Sequence, residues 1–177
     1  VAETLRHLDP RLRDVPMRVI AHGIDLDAAP MPAPRRTVAE KLRLIVLGRH
    51  TALKGSRILR EAAADLRRYA EITLVGCGPA GVEAAEACGW KSIERFEPSE
   101  LPRLVREIAP HAGLLVSIVP ETFSYTLSEL LALGVPPLAT ALGSFRDRIV
   151  EGKTGFLFAP DARSLVAAVR RLHAEPA

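Results

Sequence analysis

Residues 113–134 read GLLVSIVPETFSYTLSELLALG. The first seven are a continuous apolar run, short enough for a strand. The last stretch repeats leucine at helical spacing. With a helix starting near Ser124, Leu127, Leu130, Leu131 and Gly134 form an i, i+3, i+4, i+7 stripe against a sheet. The segment therefore reads as a buried strand, a polar turn and a helix. The same alternation recurs along the chain. Further candidate strands are 17–21, 42–48, 71–76, 91–96, 135–140 and 155–158, with 112–119 carrying the run just quoted. They are solidly apolar, as strands covered on both faces should be. Candidate helices fall at 54–69, 80–88, 99–109, 124–133, 144–151 and 162–174. Glycine and proline mark the junctions, at Gly48, Gly76, Gly78, Pro98, Pro110, Gly134 and Pro160. Strand and helix in alternation predict an α/β fold, a Rossmann-like, mostly parallel sheet with helices on both faces.

The chain has 177 residues and is 48% hydrophobic, which suits one domain with a real core. We expect residues 17–177 to form it and residues 1–16 to be an N-terminal extension, a short helix interrupted at Pro10. Residues 28–36, AAPMPAPRR, read as a surface loop. A net charge of +3 is too mild for a nucleic-acid binder but suits a local anion site. No apolar run approaches the roughly 20 residues of a membrane span. The first sixteen residues lack a signal-peptide core. Cys77 and Cys88 have no metal-ligand spacing, so reduced thiols and a cytoplasmic setting are expected. The start at Val1 leads us to expect a longer parent chain.

In such a fold ligands bind beyond the carboxyl ends of the strands. After 42–48 comes GRHTALKG, with Arg49 at the strand end and Lys54 near a helix start. Two cations beside free helix N–H groups suit a diphosphate, although they also suit an ordinary basic surface. After 71–76 comes GCGPAG, which fits G-x-G-x-x-G through Gly76, Gly78 and Gly81, with Glu94 following. This permits a dinucleotide-dependent oxidoreductase, but the run does not follow the opening strand, and a tight turn explains it as well. After the strand at 112–119 come Glu121 and Glu129. Glu129 lies roughly 160° from the leucine stripe and reads as solvated. Thr126-x-x-Glu129 also fits a capping box. Glu121 also suits the positive end of a helix. The spacing alone leaves function and capping level.

Together and in order, HGID (22–25), GRHTALKG (48–55), VGCGP (75–79), PETFSYTLSELLALGVPPLAT (120–140) and LGSFRDRIVEGKTGFLFAP (142–160) resemble the C-terminal, donor-binding half of a group 1, GT-B fold, retaining glycosyltransferase. The pairing of G-R-x4-K-G with E-x7-E is the specific part. The resemblance implies a nucleoside-diphosphate sugar as donor and a saccharide or lipid-linked acceptor, with a hexose transferred. It implies that Arg49 and Lys54 bind the diphosphate, that Glu121 contacts the donor sugar near the reacting carbon, and that Glu129 binds the ribose. Backbone N–H groups from Phe123 through Ser124 and Tyr125 to Thr126 would add to the phosphate cradle. Backbone at Arg95 and Phe96 would border the base. Glu121, Arg49 and Lys54 are then the catalytic candidates. No metal or other cofactor is implied, and a lipid-linked acceptor would place the parent enzyme at a membrane surface. The acceptor-binding N-terminal domain has no counterpart here, so the chain alone should transfer nothing.

The chain departs from the family pattern at several points. His22 stands for the usual Asn, Ser124 for a smaller residue, Ser144 for the second of two glycines, Asp147 for Glu, and ELLA for E-A-M-A. Ser124 and Ser144 would narrow the donor pocket. A non-catalytic nucleotide-sugar-binding relative is the remaining alternative within the fold, and an epimerase or phosphorylase fits the motifs less well.

Overall fold

The computed structural model describes residues 2–18, 20, 22–24 and 29–175. A six-stranded sheet forms the centre. Its strands are β1 (Leu42–Leu47), β2 (Ala70–Val75), β3 (Lys91–Ile93), β4 (Ala112–Leu115), β5 (Pro137–Thr140) and β6 (Phe156–Phe158). The spatial order is β3-β2-β1-β4-β5-β6, and each neighbouring pair is parallel. This is the Rossmann-like arrangement the alternating pattern predicted. The helices are α1 (Ala2–Leu8), α2 (Ser56–Leu66), α3 (Pro79–Cys88), α4 (Leu101–Ile108), α5 (Tyr125–Ala132), α6 (Ser144–Arg148) and α7 (Ala162–Ala174).

Strand alternation sends side chains to both faces, and both faces are covered. Leu42, Leu44, Ile72, Leu74, Leu114 and Leu138 pack with Leu59 and Leu66 of α2 and with Leu165 and Val169 of α7. On the other face, Ile45, Leu47, Val75, Leu115 and Ala139 meet Leu104 and Val105 of α4, Leu127 and Leu130 of α5, and Phe145 of α6. Gly113 lets α5 lie close to β4, because a Cβ there would run into the side chain of Leu130.

Expectations for three strands need correction. The segment 17–21 forms no strand at Met17, Arg18 or Ile20, and residues 19 and 21 lie outside the described residues. Ile20 is 75% exposed, so no apolar burial holds it to a sheet. The sheet opens at Leu42. The expected strand 91–96 stops at Ile93 and the strand 112–119 at Leu115, where each chain leaves the ladder toward the site. The proline-rich segment is the expected surface loop at 29–36, largely exposed, but it is anchored at two points. Met31 N donates to Leu133 O at 3.0 Å, and Arg36 is buried. The Arg36 guanidinium donates to the carbonyls of Thr37, Glu40, Leu172, His173 and Glu175, tying this segment to the end of α7.

Candidate functional site

β1 lies between β2 and β4, so the chain's crossovers diverge on either side of it. A crevice opens at that point, beyond the carboxyl ends of β1 and β4. The loop after β1 holds Arg49 and Lys54. It closes on Gly55, whose φ of 77° is left-handed and whose Cβ position is taken by the Val116 carbonyl. The loop after β4 is therefore seated directly against it. Ile118 N and Ser117 Oγ both donate to Leu53 O, at 3.0 and 3.2 Å. From the far side, Thr140 Oγ1 at the end of β5 donates to Ser117 O at 2.7 Å.

Glu121 sits on this braced loop. Ser144 N donates to Glu121 O at 2.8 Å, and a Cβ at Gly143 would come within 2.7 Å of the Glu121 amide nitrogen. The Gly143–Ser144 turn thus presses on the Glu121 backbone. The Glu121 carboxylate meets Lys54 Nζ at 2.6 Å, with the glutamate side chain 14% exposed and the lysine 49%. Two residues far apart in sequence, each picked out by motif, are in direct contact. Arg49 is exposed and has no ion pair among the described residues.

Three adjoining depressions meet at these side chains. The central one is lined by Arg49, Lys54, Glu121 and Thr126. A second shares Lys54 and Glu121 with it and extends along Phe123, Ser124 and Tyr125 to His22. A third shares Arg49 and runs past Gly76 and Gly78 to Glu94, Arg95 and Phe96. One elongated ligand, with a charged middle near Arg49 and Lys54, would cross all three.

The N-terminal turn of α5 faces this line. Ser124 caps the helix, its hydroxyl accepting from Leu127 N at 3.3 Å. The N–H groups of Phe123, Ser124, Tyr125 and Thr126 have no acceptor among the described residues. Free amides at a helix start, with its partial positive charge, form an anion cradle. The Thr126–Glu129 capping box does not form, because Ser124 already holds the cap.

Glu129 is half-buried rather than solvated. The fully buried residues of this helix are Leu127, Leu130 and Leu133, with Leu131 only partly covered. Replacing Leu131 by Leu133 in the stripe turns the buried face by roughly 50°, which brings Glu129 to its flank. Burial pushes its carboxyl above the usual carboxylate range, and no neighbouring charge offsets the shift. Among the described residues the structure brings Arg49, Lys54, Glu121 and Thr126 around one depression and Arg95 and Phe96 into the next. Glu129 lies one helical turn beyond Thr126.

GCGPAG forms the turn from β2 to α3. Gly76 packs on Phe96, a Cβ there lying 2.7 Å from the ring, and Gly81 packs on Cys77. Close packing explains two of the three glycines, and the run follows β2 rather than β1.

The motifs overlooked Arg148 and the ring cluster around His22. The Arg148 guanidinium donates to Phe123 O, Ser124 O and Ser128 Oγ, at 2.6, 3.3 and 2.7 Å, and its Cζ lies 4.3 Å from the centre of the Phe123 ring. No spacing rule marks it among 24 Lys and Arg residues. The His22 ring lies 4.9 Å from that of Phe123, and its Nδ1 is 3.2 Å from the Tyr125 hydroxyl.

A family model described as glycosyl transferases group 1 matches residues 41–175. The D-inositol 3-phosphate glycosyltransferase of Thermomonospora curvata is 31% identical over 153 residues, covering 75% of this chain and 35% of that protein. The protein of the same name from Geodermatophilus obscurus is 30% identical, over 86% of this chain and 39% of its own length. The chain thus spans well under half of these relatives. Among solved structures, the lipopolysaccharide outer core galactosyltransferase WaaB is similar with a TM-score of 0.76 at 21% identity, covering 98% of this chain and 50% of that one. Anabaena Alr3699/HepE, solved in complex with UDP-glucose, gives 0.62 at 23% identity, covering 76% and 39%. These likenesses carry the fold, and the family match carries the membership. With a match over three-quarters of its length, a Rossmann-like sheet shared with GT-B enzymes and a cation-lined crevice at the switch point, the chain belongs to the group 1 glycosyltransferases.

Proposed function

We propose that this chain is the donor-binding half of a retaining glycosyltransferase that takes a hexose from a nucleoside-diphosphate sugar. The observation that carries the reading is the convergence of Arg49, Lys54 and Glu121 on one depression at the sheet switch point, beside the free amides of the α5 N-terminus. In this reading Arg49 and Lys54 bind the diphosphate, the base lies toward Arg95 and Phe96, and the sugar lies toward Glu121 and Phe123. Glu129 accepts hydrogen bonds from the ribose hydroxyls.

Transfer breaks the bond between the anomeric carbon and the diphosphate oxygen, and the electron pair leaves with the diphosphate. The two cations and the amide cradle stabilise the charge that accumulates there. Glu121 stabilises the positive character left on the anomeric carbon. The acceptor hydroxyl gives its proton to the departing diphosphate oxygen as its own oxygen forms the new bond on the same face. A divalent ion is unnecessary in this scheme because protein cations serve its purpose. The acceptor, a saccharide or lipid-linked sugar, would bind on a separate N-terminal domain, so this half binds donor weakly and transfers nothing alone.

The presence of UDP-glucose in the HepE complex makes uridine nucleotides the first to try. Calorimetric titration with UDP-, ADP- and GDP-sugars in buffer containing EDTA tests the reading. At least one should bind, and EDTA should not change its affinity. Failure of all three to bind, or binding only with added divalent metal, would overturn it.

A further inference from the structure

Ser124 adopts φ 68° and ψ 97°, a left-handed conformation that non-glycine residues rarely take. Such a conformation persists only where its surroundings hold it. Here three groups do so. Ser144 Oγ donates to Phe123 O at 3.0 Å. One Arg148 nitrogen donates to Phe123 O and Ser124 O, and another to Ser128 Oγ, while the guanidinium stacks on the Phe123 ring. The Ser124 hydroxyl itself caps Leu127 N and lies 3.0 Å from Thr126 Oγ1. With the carbonyls of residues 123 and 124 pinned on the α6 side, the amides of the same turn are held toward the crevice. Arg148 has no ion pair among the described residues, so its charge is spent on carbonyl and hydroxyl oxygens and one ring.

We propose that Arg148 is a positioning residue for donor binding, which with Ser144 locks the Phe123–Thr126 turn so that its amide cradle is formed before the ligand arrives. This rests on the donor-site reading above. Preorganisation lowers the ordering cost of binding without touching the ligand. The cradle lies on the Lys54 and Glu121 side of the crevice, away from the base-side depression at Gly76 and Phe96. Its loss should therefore weaken the grip on the distal phosphate and spare the nucleoside and first phosphate.

The experiment is calorimetry of the chain with UDP, ADP and GDP, followed by the monophosphate of whichever binds best. Arg148→Ala should weaken the diphosphate about tenfold, as expected for losing a few charge-assisted contacts that shape a site, and leave the monophosphate unchanged. Arg148→Lys, which keeps the charge but not the fork, should fall between. Equal losses for both nucleotides, or no loss, would overturn the proposal. If Arg148→Ala does not fold, Arg148→Lys and Ser144→Ala carry the same comparison, and a wild-type ratio in both overturns it. A wild-type chain that binds no diphosphate would sink the donor reading and this proposal together. Wild-type binding with unaffected variants would sink this proposal alone.

Discussion

Glu129 shows how a single side chain separates function from structure. Its carboxyl is half-buried on the flank of α5, and burial alone raises its pKa. A group whose folded-state pKa lies above its unfolded value costs stability once ionised. That cost is absent below the ordinary carboxylate range, grows as pH rises through it to the raised value, and is constant above. Glu129→Gln removes the cost. We expect its thermal midpoint at pH 7 to equal or slightly exceed that of the wild type, while nucleoside-diphosphate affinity falls at least about tenfold through loss of hydrogen bonds to a charged acceptor. Lower stability with intact affinity would instead assign Glu129 a structural role. The sequence could pick out this residue but not its environment. Leucines at 127, 130, 131 and 133 permit two helical faces, and only the packing of Leu133 into the core selects one. The helix start near Ser124 was legible, but its role as the cap was not settled by sequence, because the capping pattern at Thr126 competes with it.

At the scale of elements, the site depends on two loops being held at a fixed distance. Gly55 is the contact point, with left-handed backbone and no room for a Cβ beneath the Val116 carbonyl. Gly55→Ala should cost roughly 2 kcal/mol or more through backbone strain and displacement of the loop after β4, measured by urea denaturation. Gly152→Ala, at φ 72° in open space, carries the strain without the clash and should cost only about 1 kcal/mol. Equal losses at the two positions would contradict the bracing role. Six of the seven expected strands form, with 91–96 and 112–119 shortened, because strands buried on both faces leave an unbroken apolar signature. The failure at 17–21 has the same origin. An apolar run reports what could be buried, and Ile20 finds nothing to bury it.

For the whole molecule, the crevice is lined by residues from the loops after β1, β2, β3 and β4, brought together by the order β3-β2-β1-β4 in the sheet. The charged participants Arg49, Lys54 and Glu121 were legible because their motifs keep residue type and spacing. Arg148 and Ser117 were not, because they act through carbonyls, which any sequence supplies. Arg36 makes a related point on a larger scale. It closes a segment that reads as a surface loop, yet its guanidinium joins residues 36–40 to the last turn of α7. The chain spans 35% and 39% of two relatives, so the proposed donor site is judged by binding rather than turnover. The most direct measurement is calorimetric titration of a nucleoside diphosphate into the wild-type chain and into Arg49→Ala plus Lys54→Ala. The account predicts saturable binding to the first and none detectable to the second, which should still unfold cooperatively but at a somewhat lower temperature, because losing Lys54 leaves the largely buried Glu121 carboxylate unpaired. Unchanged affinity in the double variant would contradict it.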